Sequence, residues 1–195
     1  MVTFCHGRAG ALESSYTELA KGCGVQLSAA VAAQDCALVR ELRAYAAAAA
    51  AAVGNNKGPI TSVDFIFPGA AYFSVACGGF WDVLTARGHA AASAAGASGG
   101  ACSAFLLLAG GCDLLIMGYL LYARHQGAST AMRLASVAVQ AVRVTPFWGR
   151  LYRHVLDSSE DAWEAVQARA YVAVASRARH GTPMSAVRAY GKRGE

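Results

Sequence analysis

A serine flanked by small residues is the first feature of this sequence that could do chemistry. Residues 95–106 read AAGASGGACSAF, so Gly96 lies two positions before Ser98 and Gly100 two positions after it. A nucleophilic serine sits on a sharp turn between a strand and a helix, and small residues at these positions let the two elements pass closely. The spacing predicts Ser98 as a nucleophile on an elbow formed with Gly96 and Gly100.

The residues that follow Ser98 suit the same chemistry. GGACSAFLLLAG is typical of a buried helix, whose N-terminus would direct N–H groups and the positive end of its dipole at the reaction centre. The pattern alone also fits an ordinary turn of small residues, because the chain contains 21 glycines.

A second turn of small residues lies upstream, in FIFPGAAYFSVACGGFWDVL. A buried strand over 62–67 ends there in a tight turn and leads into a helix. An oxyanion hole needs backbone N–H groups that can approach the substrate closely, and a turn of small residues allows this. We therefore expect the oxyanion loop at Gly69, Ala70 and Ala71.

The remaining elements predict an α/β domain with a largely parallel sheet, because strands alternate with helices. The expected order is helix 71–88, strand 90–96, helices 99–109 and 113–126, helix 129–143, a short helix or loop over 145–156, a helix capped by Ser158 or Ser159, strand 170–176 and a possible strand 184–190. The alanines of 90–96 make it the weakest of these strands.

The chain divides at a cluster of helix-breaking residues, VGNNKGP, over 53–59. Residues 1–57 are expected to form an alanine-rich lead-in, helical or partly disordered. Residues 58–195 are expected to form the α/β domain.

The two turns and the helix between them resemble the patatin-like phospholipase family, most closely its algal and protist members. The resemblance covers about residues 62–195. It implies a three-layer α/β/α domain that hydrolyses acyl esters of phospholipids or acylglycerols, with Ser98 as nucleophile and an aspartate as its base. It also implies an oxyanion loop at Gly69, Ala70 and Ala71, a lipid substrate, and no metal or organic cofactor.

Two departures from the family pattern affect this expectation. The family's loop usually has three consecutive glycines, where this chain has Gly-Ala-Ala, and its aspartate lies in an Asp-Gly-Gly or Asp-Gly-Ala motif. No Asp-Gly occurs in these 195 residues, so the domain is expected to be C-terminally incomplete, with its aspartate beyond residue 195. We expect little or no turnover from this chain, since a serine without a base is a poor nucleophile. The alternative is an inactive remnant or a lipid-binding module.

Other groups could in principle act as the base. The chain order Ser98, Asp157, His180 is that of the catalytic triad in α/β-hydrolases. A triad of Ser98, Asp161 and His154 would not follow this order. However, His180 lies in a polar loop, and Asp157 is interpreted as a helix cap. Asp113 is expected at the far end of the helix that follows Ser98, where it would cap the next helix.

The segment 101–124 is long and apolar enough to cross a bilayer. Gly110, Gly111 and Asp113 interrupt it, which favours two buried helices joined at GGCD. A small membrane protein with a coincidental serine motif is the third hypothesis.

Composition limits the remaining functions. The net charge is +5, but the basic residues are scattered without interleaved aromatic residues, so nucleic-acid binding is not expected.

The six cysteines lack metal-binding spacing, so no zinc site is predicted. Their apolar surroundings indicate a reducing compartment. With a lipid substrate, we expect a cytoplasmic location or a peripheral one, at a membrane or a lipid-droplet surface. Trp81, Trp148 and Trp163 are interpreted as core or interface residues, although Phe147 and Trp148 could line an acyl-chain groove.

Overall fold

A computed structural model of the protein describes residues 9–52, 62–68, 75–126, 137–177 and 183–189. Its elements follow one another as α1 (Ala9–Cys23), α2 (Ala29–Ala52), β1 (Ser62–Phe67), α3 (Cys77–Ala86), β2 (Ala90–Gly96), α4 (Gly99–His125), α5 (Val137–Ser158), α6 (Glu160–Arg169), β3 (Ala170–Arg177) and β4 (Pro183–Ala189). The chain is therefore a mixed α/β protein.

The four strands form one sheet in the order β1-β2-β3-β4. The pairs β1–β2 and β2–β3 are parallel, and β4 runs antiparallel to β3. Each strand lies within one residue of its predicted position, so the largely parallel sheet is confirmed. The alanine-rich segment over 90–96 is a strand despite alanine's low strand propensity.

One face of this sheet is buried against α3. Phe65 and Phe67 are buried on that face, and the Trp81 ring of α3 lies 4.8 Å from the Phe65 ring. Ile66, on the opposite face, is 82% exposed. The three-layer arrangement stays a prediction.

Helix α4 reverses direction at Gly111, whose backbone has φ 73° and ψ −162°. The hydroxyl of Tyr119 donates a hydrogen bond to the carbonyl oxygen of Gly99 at 3.2 Å. In a straight helix, residues twenty positions apart would lie about 30 Å from each other. The first arm (residues 99–110) and the second arm (residues 112–125) therefore fold back on each other, which confirms the prediction of two helices joined at GGCD.

Among the described residues, α4 is the one helix that could cross a membrane by length and composition, and 78% of its most apolar window is buried. Each arm is shorter than the about 20 residues that a crossing requires. In this fold, the apolar side chains of α4 serve the protein core.

Helices α1 and α2, within the expected lead-in, pack on the rest of the protein. Helix α1 ends in a Schellman motif, in which Gly24 has φ +70° and the N–H of Val25 donates to the carbonyl of Ala20 at 2.8 Å. The Nε of Arg150, in α5, donates to the carbonyl of Cys23 at 2.8 Å. The expected boundary at 53–59 lies outside the described residues.

The buried thiol of Cys23 predicts a loss of stability at alkaline pH. Burial raises the pKa of Cys23 to about 12, whereas an unfolded cysteine titrates near 8.5. Its contribution is intact below about pH 8.5 and falls by about 1.4 kcal/mol per pH unit as the pH rises toward 12. Urea unfolding at pH 8 and pH 10 should show a smaller loss for Cys23→Ser than for the wild type. Equal losses would contradict this assignment.

Helix α5 corrects two predictions. A helix over 129–143 and a short helix or loop over 145–156 were expected, but a single helix runs over Val137–Ser158 with Pro146 inside it. Phe147, Leu151 and Val155 recur every four residues and are fully buried. Their packing outweighs the hydrogen bond that proline removes.

The start of α6 corrects a third prediction. Ser159 caps this helix, because its Oγ accepts a hydrogen bond from the N–H of Ala162 at 3.1 Å. Asp157, interpreted from the sequence as a cap, instead lies exposed near the end of α5.

Candidate active site

Ser98 occupies a sharp turn between β2 and α4. Its backbone has φ 51° and ψ −125°, and it is the one non-glycine residue with positive φ in the described part of the chain. Such a conformation costs about 1–3 kcal/mol and persists only where the surroundings impose it. The side chain is exposed. The predicted strand–turn–helix geometry is therefore present, with the serine at its apex.

The two glycines of the motif are required by close backbone contacts. A Cβ on Gly96 would lie 2.3 Å from the carbonyl carbon and oxygen of Gly100. A Cβ on Gly100 would lie 2.3 Å from the carbonyl oxygen of Phe67 and 2.5 Å from that of Pro68. No side chain fits at either position without displacing backbone. The turn is thus built by the passage of β2, α4 and the end of β1 past one another.

The end of β1 lies directly beside the turn. The N–H of Ala97 donates to the carbonyl oxygen of Phe67 at 3.4 Å, and Pro68 touches the first turn of α4. The predicted oxyanion loop, Gly69, Ala70 and Ala71, follows Pro68 but lies outside the described residues. Its point of departure is therefore placed next to Ser98.

The first turn of α4 begins at the serine itself. The Ser98 carbonyl accepts hydrogen bonds from the N–H groups of Ala101 at 3.0 Å and Cys102 at 3.3 Å, and the N–H of Gly100 donates to Ala97 at 2.9 Å. Residue 99 follows the serine directly. In a nucleophile elbow, the N–H group at this position supplies one oxyanion donor. The helix N-terminus also favours negative charge there.

The candidate bases lie elsewhere in the structure. The ring of His154 packs against Gly22 in α1. Asp157 and Asp161 are exposed near the junction of α5 and α6. His180 lies outside the described residues. Among those that are described, no carboxylate or imidazole is hydrogen-bonded to Ser98.

Asp113 is also remote from the serine. The first arm of α4, roughly 18 Å long at 1.5 Å per residue, separates them. Its carboxylate is buried and lies 3.0 Å from the Nε of Arg43 in α2. Asp113 therefore belongs to an ion pair between α2 and α4.

A band of aromatic rings extends from the turn into the core. It starts at Tyr119, whose ring lies 5.3 Å from Trp148, and continues to Tyr122 and Phe147, each 5.3–5.4 Å from its neighbour. Trp148 and Phe147 are buried. They fill core space, and Trp81 packs against the core at Phe65. Trp163 is half-buried.

Two side chains near the turn were missed from the sequence. Cys102, one helical turn after Ser98, contacts Tyr152, and burial raises the pKa of its thiol. Tyr119 contacts Gly99, and no sequence signal could have indicated it, because the contact depends on the reversal at Gly111. Within the described residues, no three His, Cys, Asp or Glu side chains are grouped to hold a metal.

Comparisons of the chain with protein-family profiles, curated proteins and solved structures found no match.

Proposed function

We propose that Ser98 is the nucleophile of a patatin-like acyl hydrolase acting on lipid esters. The backbone of Ser98, held at positive φ between β2 and α4, is the observation that supports this most directly. The proposal is also supported by the contacts of Gly100 with the carbonyls of Phe67 and Pro68. Because of these contacts, β1 ends beside the serine, where the oxyanion loop would begin. The three-layer arrangement belongs to this proposal, with a second layer expected on the face that carries Ile66.

The chemistry follows from this placement. The Oγ of Ser98 attacks the acyl carbon of an ester, and its proton passes to the base as the Oγ–C bond forms. Backbone N–H groups at residue 99 and in the loop after Pro68 would stabilise the oxyanion. The C–O bond then breaks, the alcohol leaves with a proton, and water releases the acid from the acyl-serine. The resemblance implies that this base is an aspartate.

Phosphonylation measures the reactivity of the serine without requiring full turnover. A fluorophosphonate forms a bond between phosphorus and Oγ and releases fluoride. Enzymes that have lost their base retain about 10³-fold catalysis from the oxyanion hole and binding. We therefore expect Ser98 to react about 10³-fold faster than the serine of a free peptide with sequence 95–106, as located by mass spectrometry.

Two variants control this experiment. Ser98→Ala should remove the labelling. Ser93→Ala should leave it intact, because Ser93 lies on the same strand and instead donates a hydrogen bond to Asp64 at 2.6 Å. A Ser98 no faster than the free peptide would overturn the proposal and favour an inactive remnant. Labelling of Ser98→Ala at the wild-type rate would also overturn the proposal, because the reactive residue would then not be Ser98.

A further inference from the structure

We propose that Tyr119 is a positioning residue that holds the backbone of the Ser98 turn, and that α2 holds Tyr119 in place. The residue following the serine is Gly99, and the one after it is Gly100. Glycine restricts its backbone less than any other residue, so two successive glycines leave the conformation at the start of this helix weakly fixed by local preference. This part of the turn therefore needs contacts from outside the helix.

The hydrogen bond from the Tyr119 hydroxyl to the Gly99 carbonyl, at 3.2 Å, is such a contact. It fixes the plane of the peptide between Gly99 and Gly100. The next residue, Gly100, lies against the carbonyls of Phe67 and Pro68. The first turn of α4 is therefore held both by the end of β1 and by the Tyr119 hydroxyl.

Tyr119 is itself held in one position. Its side chain is buried, and the Trp148 ring meets it edge-on at 5.3 Å. A buried aromatic ring with two torsions loses little further freedom when it forms its hydrogen bond. The hydroxyl is therefore held in the position from which it donates to the Gly99 carbonyl.

Two ion pairs tie the second arm of α4 to α2 on either side of Tyr119. Arg124 donates to both carboxylate oxygens of Asp35, at 2.7 and 3.2 Å, and Asp113 pairs with Arg43 at 3.0 Å. The two pairs have opposite polarity, so sliding α2 along the arm would break both. Helix α2 thereby sets where the Tyr119 hydroxyl lies.

Hydrogen exchange tests this role without reference to reactivity. Tyr119→Phe keeps the ring and removes the hydroxyl. We expect amides in residues 97–104 to exchange about fivefold faster, the effect of one neutral hydrogen bond. Thr17→Val is the matched control, since it removes a half-buried hydroxyl in α1 that donates to a backbone carbonyl, that of Glu13, at 2.7 Å, outside the contacts of Tyr119 and of the two ion pairs. Exchange in 97–104 that is unchanged, or raised equally by both variants, would overturn the inference.

A second measurement, which rests on the proposed function, separates positioning from binding. In saturation kinetics with the fluorophosphonate, Tyr119→Phe should lower the maximal rate constant about fivefold and leave the half-saturating concentration unchanged. If wild-type Ser98 reacts no faster than the free peptide, the proposed function fails, and the exchange result alone decides the role of Tyr119. Faster exchange with an unchanged rate constant would refute the link to reactivity.

Discussion

Replacing Gly100 with alanine is expected to lower the free energy of unfolding by about 3 kcal/mol or more. The new Cβ would lie 2.3 Å from the Phe67 carbonyl oxygen and 2.5 Å from that of Pro68. Both neighbours are backbone atoms, so relief requires moving β1 or α4 rather than rotating a side chain. Because the same contacts hold the Ser98 turn, the folded fraction of Gly100→Ala should also lose phosphonylation at Ser98.

Gly79→Ala is the matched control for this prediction. Gly79 lies within α3, and a Cβ there would have no atom within 4 Å. Alanine should raise stability by roughly 0.5–1 kcal/mol through helix propensity alone. Urea unfolding of the two variants should therefore give effects of opposite sign. Two variants at least as stable as the wild type would show that the contact at Gly100 can relax, contrary to the close packing described above.

Local signals in the sequence were sufficient for the first strand and for the serine turn. The β-branched and aromatic residues of SVDFIF indicate a strand on their own. The alanines of 90–96 do not, and this strand followed from the expected strand–helix–strand order. Its last residue, Gly96, shows why small residues occur there, since α4 passes directly against it. Close packing of backbones, rather than strand propensity, explains this part of the sequence.

Contacts between distant segments could not be predicted in the same way. A break between two helices at GGCD was expected, but the direction of the second arm was not, so the contact of Tyr119 with Gly99 had no signature in the sequence. The ion pairs of α2 with α4 join residues up to 89 positions apart. The residue types alone indicate charges on a helix, which usually face solvent. Only the packing of the helices shows that Asp35 and Asp113 are buried.

The run of Val137–Ser158 through Pro146 has a similar explanation. Local rules place a helix boundary before a proline, and they predicted two elements here. The fold keeps one helix because an apolar row, Phe147, Leu151 and Val155, is buried against the core. Tertiary packing, rather than local sequence preference, therefore determines that one helix continues through Pro146.

Replacing Arg43 with methionine should lower the free energy of unfolding at neutral pH by about 2–3 kcal/mol. Removing one partner of a buried ion pair costs about 3–5 kcal/mol. We expect less here because the Arg43 side chain is 37% exposed, whereas Asp113 is 8% exposed. Arg43 also lowers the pKa of Asp82, which burial raises and which accepts a hydrogen bond from the Cys112 thiol. The variant would leave two carboxylates near one thiol without their cation.

The sign of the pH dependence identifies this cause. The folded protein raises the pKa of Asp82 above its ordinary value, so its contribution favours folding below about pH 4 and is lost as the pH rises. Without Arg43 this pKa rises further, and the deficit of Arg43→Met should therefore grow as the pH rises above about 4. Arg40→Met, on the same helix, removes the ion pair of Arg40 with Glu13, whose side chains are 44% and 33% exposed. Because this pair is exposed, its loss should destabilise the protein far less than the loss of the buried pair. Equal losses for the two variants in urea unfolding at pH 7 would contradict the assignment of Arg43 as the cation that neutralises this buried cluster.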